Sequence, residues 1–459
     1  MTFVQVVAPM LVDFEVAPGA EERDRSGSRS MWDRVARRIG EVPVVKSGVV
    51  DAVCERARGD QRGSRYSQID RDDLDRTYSV LTLTVASDAA GIPALPECFS
   101  ALSGLRVSLH AHSVALIEAS LEVSGDRVYG TDDGLDVVQR EAVAYAEELG
   151  RALYRDALAP IIDLVRRIDR KESFVMPVPD GDSDVGGEAT IGEVFWVSRA
   201  LVVRPGQRKL LAHWTKDVVG GEHGALRDEL LAGDRDSLVR WLNYGFVDNE
   251  DAGAAVFSTG EHAAEYSGLA YAQVLYASLD RVDACLKQVL AESAAAKRSW
   301  ELGGLRSTLR ELNSRAELLF MERQSLQKYM GRPVWAHFEA ILSAWDYEAL
   351  IEQPVLFKVE LCQRRLGAAA QRQQARSSLI TDVILLIVAI TTIAATALAL
   401  TDFGRGAATD PLSTSVDMGG NAFSNWFASQ PIDTVLAISF AASAVLVVLY
   451  LYYRRRDQD

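Results

Sequence analysis

The stretch FVQVVAPMLVDFEV, residues 3–16, decides how the first half of this chain folds. It is rich in β-branched and aromatic residues that partly alternate with polar ones, and this pattern predicts a β-strand. Pro9, Asp13 and Glu15 interrupt the apolar character, which distinguishes the stretch from the continuous apolar run of a signal peptide. We therefore expect a strand here and a cytosolic location for the N-terminal part.

Outward from this strand, the sequence up to about residue 255 combines strand and helix patterns. A long amphipathic pattern over residues 135–168 predicts a helix, which Pro160 should bend. Two charged stretches, residues 17–30 and 60–76, are poor in large apolar side chains and are expected to be mobile. The sequence therefore predicts a cytosolic α+β domain over residues 1–255 with a regulatory or sensing role. Its further strands are expected at residues 78–86, 105–112, 113–123 and 190–203, with a last short strand from Trp241.

In the second half of the chain the spacing of apolar side chains becomes helical. Gly303-Gly304 separates the first two helical patterns, and Pro333 and Pro354 fit the first turns of a third and a fourth helix. Residues 355–400 contain no proline, so a single helix of roughly 70 Å is expected there. A helix of that length needs neighbours, so residues 256–378 are predicted to form a long antiparallel helical stalk of coiled-coil type, and the protein a homo-oligomer.

Two runs near the C-terminus, residues 383–400 and 435–453, contain no charged side chain. At about 1.5 Å rise per residue the second run covers roughly 28 Å, which is close to the thickness of a bilayer core. The sequence therefore predicts a C-terminal two-helix transmembrane hairpin, although a buried helix of a large core would show the same lack of charge. The predicted segments are a transmembrane helix at 379–400, an extracytoplasmic loop at 401–431, a second transmembrane helix at 432–453 and a basic cytoplasmic tail at 454–459.

Arginines on either side of the hairpin set its expected orientation. They precede the first run and follow the second, whereas the loop between the runs holds Arg405 beside several aspartates. Because positive charge stays on the cytoplasmic side, we predict a multi-pass protein of the bacterial inner (plasma) membrane with both termini in the cytoplasm. The side chains expected to anchor the second helix at the lipid headgroups are Tyr450, Tyr452, Tyr453, Arg454, Arg455 and Arg456.

Composition and motifs limit the functions that the sequence allows. The net charge of −15 argues against nucleic-acid binding by the whole surface, although it leaves room for a local basic patch. Nothing in the sequence resembles a phosphate-binding glycine loop, a nucleophile elbow or a zinc-protease helix. No catalytic residue is therefore predicted, and the protein is not expected to be an enzyme.

The sequence contains no complete metal-binding pattern either. The four cysteines are scattered without metal or redox spacing, which is typical of buried thiols in a reducing compartment. The acidic stretch 179–188 lacks the glycine and glutamate that a calcium loop needs. His110 and His112 are predicted to share one face of a strand, but no third ligand accompanies them. The sequence therefore predicts no metal site and no cofactor.

Polar residues at the first uncharged run are candidates for lining a pore. Thr392 and Thr396 are four residues apart and share a helix face, with Asp382 at the inner end. Polar groups inside a membrane commonly face a bundle interior or water, which makes these three residues pore-lining candidates. The alternative is that the threonine hydroxyls hydrogen bond to carbonyls of their own helix.

The stretch EQPVLFKVELCQRRLGAAAQRQQARSSLITDVILLIVAITTIAATALALTDFG and the terminal VLYLYYRRR resemble the CorA-like family of bacterial membrane proteins. The resemblance covers residues 256–459 and concerns topology. It implies a homopentamer whose first span lines a pore for divalent cations. That family places Gly-Met-Asn after the first span, whereas this chain has Thr401-Asp402-Phe403-Gly404 there and a Met418–Asn421 stretch deep in the loop. Asp402 and Asn421 are therefore the loop candidates.

Three functions remain open from the sequence. The first is a CorA-like oligomeric integral membrane protein whose cytosolic domain senses a signal and whose spans conduct divalent cations or other ions. The second is a membrane-anchored sensor or effector of a bacterial conflict (defence) or signalling system, which binds a cytosolic protein or a small-molecule ligand. The third is a membrane scaffold. All three imply the lipid bilayer as a partner and no nucleic acid.

Overall fold

The computed structural model of the chain describes residues 2–17, 31–54, 79–87, 89, 91–125, 134–169, 175–176, 190–216, 221–239, 243–248, 262–295, 299–409, 426 and 429–456. The predicted mobile stretches and the acidic stretch 179–188 lie outside these residues, apart from Ala17. Two compact units make up the chain, unit 1 from Met1 to Arg365 and unit 2 from Leu366 to Asp459.

One mixed sheet forms the framework of unit 1. Among the described residues its strands follow the order β2-β3-β4-β5-β1-β7-β9-β8, and β6 pairs with β1. Neighbouring strands are antiparallel except for β7 and β9, which are parallel. The strands are β1 (Phe3–Val16), β2 (Val50–Cys54), β3 (Ser79–Val85), β4 (Phe99–His110), β5 (His112–Val123), β6 (Val175–Met176), β7 (Ser198–Val203), β8 (Ser237–Leu238) and β9 (Asn243–Val247).

The predicted strand over residues 3–16 is confirmed and lies in the middle of the sheet. β1 pairs with β5 over most of its length and with β7 from Phe3 to Val7. Its side chains are nearly all buried because helices cover both faces. This burial explains why the strand reads as an almost continuous apolar run rather than as a strict alternation. The predicted α+β character of the N-terminal part is confirmed.

Helices follow and flank this sheet. The predicted helix over residues 135–168 is present, with a π-helical segment from Tyr154 to Leu158 between two α-helices and Pro160 in the first turn of the second one; the bend at Pro160 stays a prediction. The helices are α1 (Met31–Arg38), α2 (Pro43–Lys46), α3 (Gly134–Leu153), α4 (Ala159–Ile168), α5 (Lys209–Trp214), α6 (Gly221–Ala232), α7 (Ala263–Ala295), α8 (Ser299–Tyr329), α9 (Arg332–Ala344), α10 (Gln353–Thr409) and α11 (Ile432–Arg456).

The two faces of the sheet differ in chemistry. The even-numbered residues of β1, such as Val4 and Met10, join an apolar core with α3 and α4. The odd-numbered face includes Gln5 and Glu15, which are fully or almost fully buried. Helix α7 packs across β1 and β5 and contacts this second face. Unit 1 therefore has one apolar layer and one layer that buries polar groups between sheet and helix.

The predicted transmembrane hairpin is wrong. Within the described part of the chain, no helix has both the length and the apolar character that crossing a bilayer requires. The prediction counted charged side chains, and a run without charge is common to helices that face lipid and to helices that pack against protein. In α11, Val435, Ser439 and Ser443 are buried at helical spacing. The same finding corrects the predicted multi-pass inner-membrane location with both termini in the cytoplasm.

Some predicted boundaries also change. The strand predicted at 190–203 contains only β7, and an isolated bridge joins Val194 to Met10. Gly303-Gly304 does not separate two helices, since α8 begins before it at Ser299. The uninterrupted helix predicted over residues 355–400 is confirmed and continues to Thr409. The helix therefore includes residues that the sequence assigned to a loop.

Candidate functional sites

The predicted pore-lining residues lie along α10. The hydroxyl of Thr392 donates to the carbonyl of Val388 at 2.7 Å, and that of Thr396 donates to the carbonyl of Thr392 at 2.8 Å. These are the bonds within the helix that formed the alternative interpretation. Asp382 and Asp402 belong to the same helix, about 30 Å apart along its axis. Pore lining therefore stays a prediction for this set.

The described residues define no site around the remaining C-terminal candidates, which are Asn421 and the predicted membrane anchors. Asn421 lies outside the described residues. The six residues predicted as anchors, from Tyr450 to Arg456, belong to the last turns of α11.

The two histidines of the predicted metal pair lie on different strands. His110 ends β4 and His112 begins β5, so they do not share a face of one strand. The four cysteines are buried. Within the described residues, no group of three or more His, Cys, Asp or Glu side chains has an arrangement that would hold a metal ion.

An ionic cluster, which the sequence did not predict, joins the sheet to α8. The carboxylate of Glu15 lies 2.6 Å from the Nε of Arg315, and both side chains are at least nine-tenths buried. The N–H of this nitrogen does not point at the oxygen, so the contact is an ion pair rather than a hydrogen bond. A second nitrogen of Arg315 donates to Glu311 at 2.7 Å. Arg315 therefore bridges the end of β1 and its own helix.

The same cluster includes the start of β5. His112 lies opposite Glu15 in the sheet register, and its Nε2 lies 2.6 Å from the carboxylate of Glu322 on α8. The next residue, Ser113, adopts a φ of 63°, in the left-handed region that residues other than glycine rarely occupy. Its hydroxyl donates to Glu15 at 3.4 Å. Strained backbone of this kind is often found at functional sites.

Burial dominates the electrostatics of Glu15. Loss of solvent raises the pKa of this carboxyl above its ordinary value, and the positive charges of Arg315 and His112 oppose the rise only in part. The ionised cluster is therefore not an unusually stable arrangement. A change in its charge would shift the balance between the sheet and α8.

A second polar contact, the Gln273 cluster, joins the sheet to α7. Gln273 is fully buried, donates to the hydroxyl of Ser198 on β7 and accepts a hydrogen bond from the indole of Trp196. It also donates to the hydroxyl of Tyr244 on β9 at 3.4 Å. Burial raises the pKa of Tyr244, so its hydroxyl remains protonated and can donate to Ser198. Gln273 therefore ties α7 to two neighbouring strands.

On the opposite face of the sheet, a basic groove runs between α3, β7 and the end of α5. Its volume is about 420 Å³, within the range of small-molecule sites. The polar groups that line it are Asp136, Gln139, Arg140, Glu147, Arg199 and Lys216. Four of these residues recur on α3 at helical spacing and form one wall, while Arg199 of β7 and Lys216 after α5 form the other.

Internal contacts hold the walls of the basic groove together. The ammonium of Lys216 donates to both carboxylate oxygens of Asp136 at 2.7 Å, and His213 lies 3.2 Å from the same carboxylate. The hydrogen bond from Lys216 lowers the pKa of Asp136, and His213 adds to this effect. The buried amide of Gln139 donates to the carbonyl of Trp214 at 3.3 Å. These contacts fix the end of α5 beside α3.

Comparison with known proteins returns no matching family model, no matching curated protein and no matching solved structure. The resemblance to the CorA-like family therefore stays a prediction from the C-terminal half of the sequence.

Proposed function

We propose that this protein is a ligand-responsive sensor in which the sheet domain of unit 1 docks on helices α7 and α8 in a switchable way. The proposal follows the second hypothesis from the sequence in its sensing part, and it assigns the protein no enzymatic activity. The observation that carries it is the buried ionic pair between Glu15 and Arg315, which joins the sheet to α8.

Buried polar contacts suit a switch for a physical reason. A buried charge pair is favourable only while its geometry is kept, because the loss of solvent by both charges must be offset by their mutual attraction. The ionic cluster and the Gln273 cluster both lie between the sheet and a helix, and neither belongs to the apolar core on the other face. A modest change at the sheet would therefore weaken docking without unfolding the domain.

Hydrogen exchange followed by mass spectrometry tests this arrangement. Arg315→Met removes the charge that pairs with Glu15, and breaking a buried pair in this way costs roughly 3–5 kcal/mol. We expect faster exchange in α8 and at the adjoining ends of β1 and β5, with the core of the sheet unchanged. Gln273→Met should produce the equivalent effect in α7.

Arg310→Met is the matched control, because Arg310 lies on the same helix and is exposed. It should leave the exchange pattern as in the parent protein. If Arg315→Met and Gln273→Met both leave exchange unchanged, or if they accelerate it equally throughout unit 1, docking is not a separable step and the proposal is wrong.

A further inference from the structure

We propose that the basic groove binds a small organic anion that carries a phosphate or a carboxylate group. This inference rests on the proposed sensor function, for which it supplies the class of ligand. It is drawn from the shape of the groove, from the charges that line it and from its connection to the Gln273 cluster.

Three cationic side chains from three separate elements line the groove. Arg140 projects from α3, Arg199 from β7 and Lys216 from the segment after α5. These three cations exceed the two carboxylates of the lining, Asp136 and Glu147, by one charge, in a chain whose net charge is −15. An arginine fork matches the oxygens of a phosphate or a carboxylate, and it can bind two of them at once.

Two acidic side chains reduce the positive charge of the groove. Asp136 pairs with Lys216 and so competes with any incoming anion for that ammonium group. Glu147 lies at the far end of the α3 wall, three helical turns from Asp136. A bound anion is therefore expected to contact Arg140 and Arg199 directly and to share Lys216 with Asp136. Gln139 adds a buried amide to the floor between them.

The groove is connected to the docking contacts through β7. Arg199 follows Ser198 in that strand, and Ser198 accepts a hydrogen bond from Gln273 of α7 on the other face of the sheet. Successive residues of a strand point to opposite faces. An anion that binds the guanidinium of Arg199 therefore acts on the backbone of β7 beside Ser198, the residue that is hydrogen bonded to Gln273. Binding in the groove would in this way change the contact between β7 and α7.

Calorimetric titration of the full chain with inorganic pyrophosphate and, separately, with citrate tests the assignment. We expect at least one of the two anions to bind. Arg199→Gln should weaken that binding about 10-fold or more, because a hydrogen bond to a charged group is lost. Arg140→Gln, at an exposed position, is the second variant in case Arg199→Gln does not fold. Asp136→Asn should tighten binding, since it releases Lys216 and removes a negative charge.

Arg151→Gln is the matched control, because Arg151 lies on α3, is exposed and does not line the groove. It should bind the anion as the parent chain does. Binding of pyrophosphate alone assigns a phosphate ligand, and binding of citrate alone assigns a carboxylate. The inference is overturned if neither anion binds, or if Arg151→Gln weakens binding as much as Arg199→Gln does.

Hydrogen exchange with and without the bound anion separates this inference from the proposed function. Binding that leaves exchange in α7 and α8 unchanged supports the anion site and contradicts the sensor. Absence of binding, combined with the expected response to Arg315→Met, contradicts the anion site and leaves the switchable docking in place.

Discussion

At the scale of single residues, the most unusual position is Gln5 in the middle of β1. Its side chain is fully buried, and neither its amide nitrogen nor its oxygen has a hydrogen-bond partner among the described residues. Ser120 lies opposite it on β5, and its buried hydroxyl also has no hydrogen-bond partner among the described residues. A buried polar group without a protein partner costs free energy on folding. Gln5 therefore opposes the stability of the strand that organises the sheet.

Replacement of Gln5 by methionine, which has a similar length and no amide, should raise the free energy of unfolding by about 1 kcal/mol or more. Urea denaturation of the variant and the parent chain measures the change. Gln139→Met is the matched control, since its amide donates to the carbonyl of Trp214, and it should lower the free energy of unfolding by about 1 kcal/mol. A loss of stability in Gln5→Met would show that the amide serves a favourable contact.

The residues of the candidate sites were beyond prediction from the sequence for a simple reason. His112 and Glu322 are 210 residues apart, and their pairing depends on how the sheet packs against α8. Arg199 and Lys216 likewise reach α3 only because β7 and α5 lie beside it. A charged residue in a strand carries no local signal of the partner that it will meet. Only the possibility of a basic patch could be stated from composition.

At the scale of elements, the packing of α7 against α9 depends on a glycine. A Cβ built on Gly268 would lie 2.9 Å from the backbone nitrogen of Phe338 and 3.1 Å from the carbonyl oxygen of Val334. Backbone atoms cannot move aside as the end of a flexible side chain can. The two helices therefore approach so closely that only glycine fits at this position.

We expect Gly268→Ala to lower the free energy of unfolding by about 1–3 kcal/mol, because the gain in helix propensity is smaller than the cost of overpacking. Gly304→Ala on α8 is the matched control, since its Cβ would meet no atom within 4 Å. That change should raise the stability by about 0.5–1 kcal/mol. Urea denaturation of both variants measures the difference, and equal effects of the same sign would contradict the close approach.

The elements themselves were predictable where the local pattern was strong. The apolar run of β1 and the amphipathic pattern before Pro160 each produced the expected structure. The two-residue strands β6 and β8 have no such pattern, because their pairing is set by neighbours. Gly303-Gly304 was read as a break, yet two exposed glycines within a long helix cost too little to end it when α8 packs along its other face. Uncharged runs failed as a predictor of spans because they report composition and not surroundings.

At the scale of the whole molecule, two carboxylates make the stability of unit 1 depend on pH in opposite directions. Burial alone would raise the pKa of Glu265, but a hydrogen bond with His262, a hydrogen bond from a backbone N–H and the charge of His337 lower it to about 2. Burial raises the pKa of Glu15 despite its neighbours. Protonation of Glu265 therefore opposes folding, because it removes the contacts of the charged carboxylate, whereas protonation of Glu15 favours the folded state, because burial penalises its charged form. The predicted homo-oligomer and ion conduction remain predictions on this scale.

The final prediction concerns these two carboxylates, measured by urea denaturation of Glu265→Gln and Glu15→Gln between pH 2 and pH 7. Glu265 has a folded pKa of about 2 against an ordinary 4.5, so its contribution is present above pH 4.5 and is lost as the pH falls toward 2. The stability difference between the parent chain and Glu265→Gln should therefore shrink over that range.

Glu15 has a folded pKa above its ordinary value of 4.5, so its contribution is present below pH 4.5 and is lost as the pH rises through the folded pKa. The stability of Glu15→Gln should accordingly improve relative to the parent chain as the pH rises from 4.5 toward 7. The folded pKa of Glu15 already includes its attraction to Arg315, so the slope of the stability difference against pH shows whether burial or the ion pair dominates. If the two differences changed in the same direction, burial would not control the ionisation of Glu15, and the ionic cluster would be a stable contact rather than a switchable one.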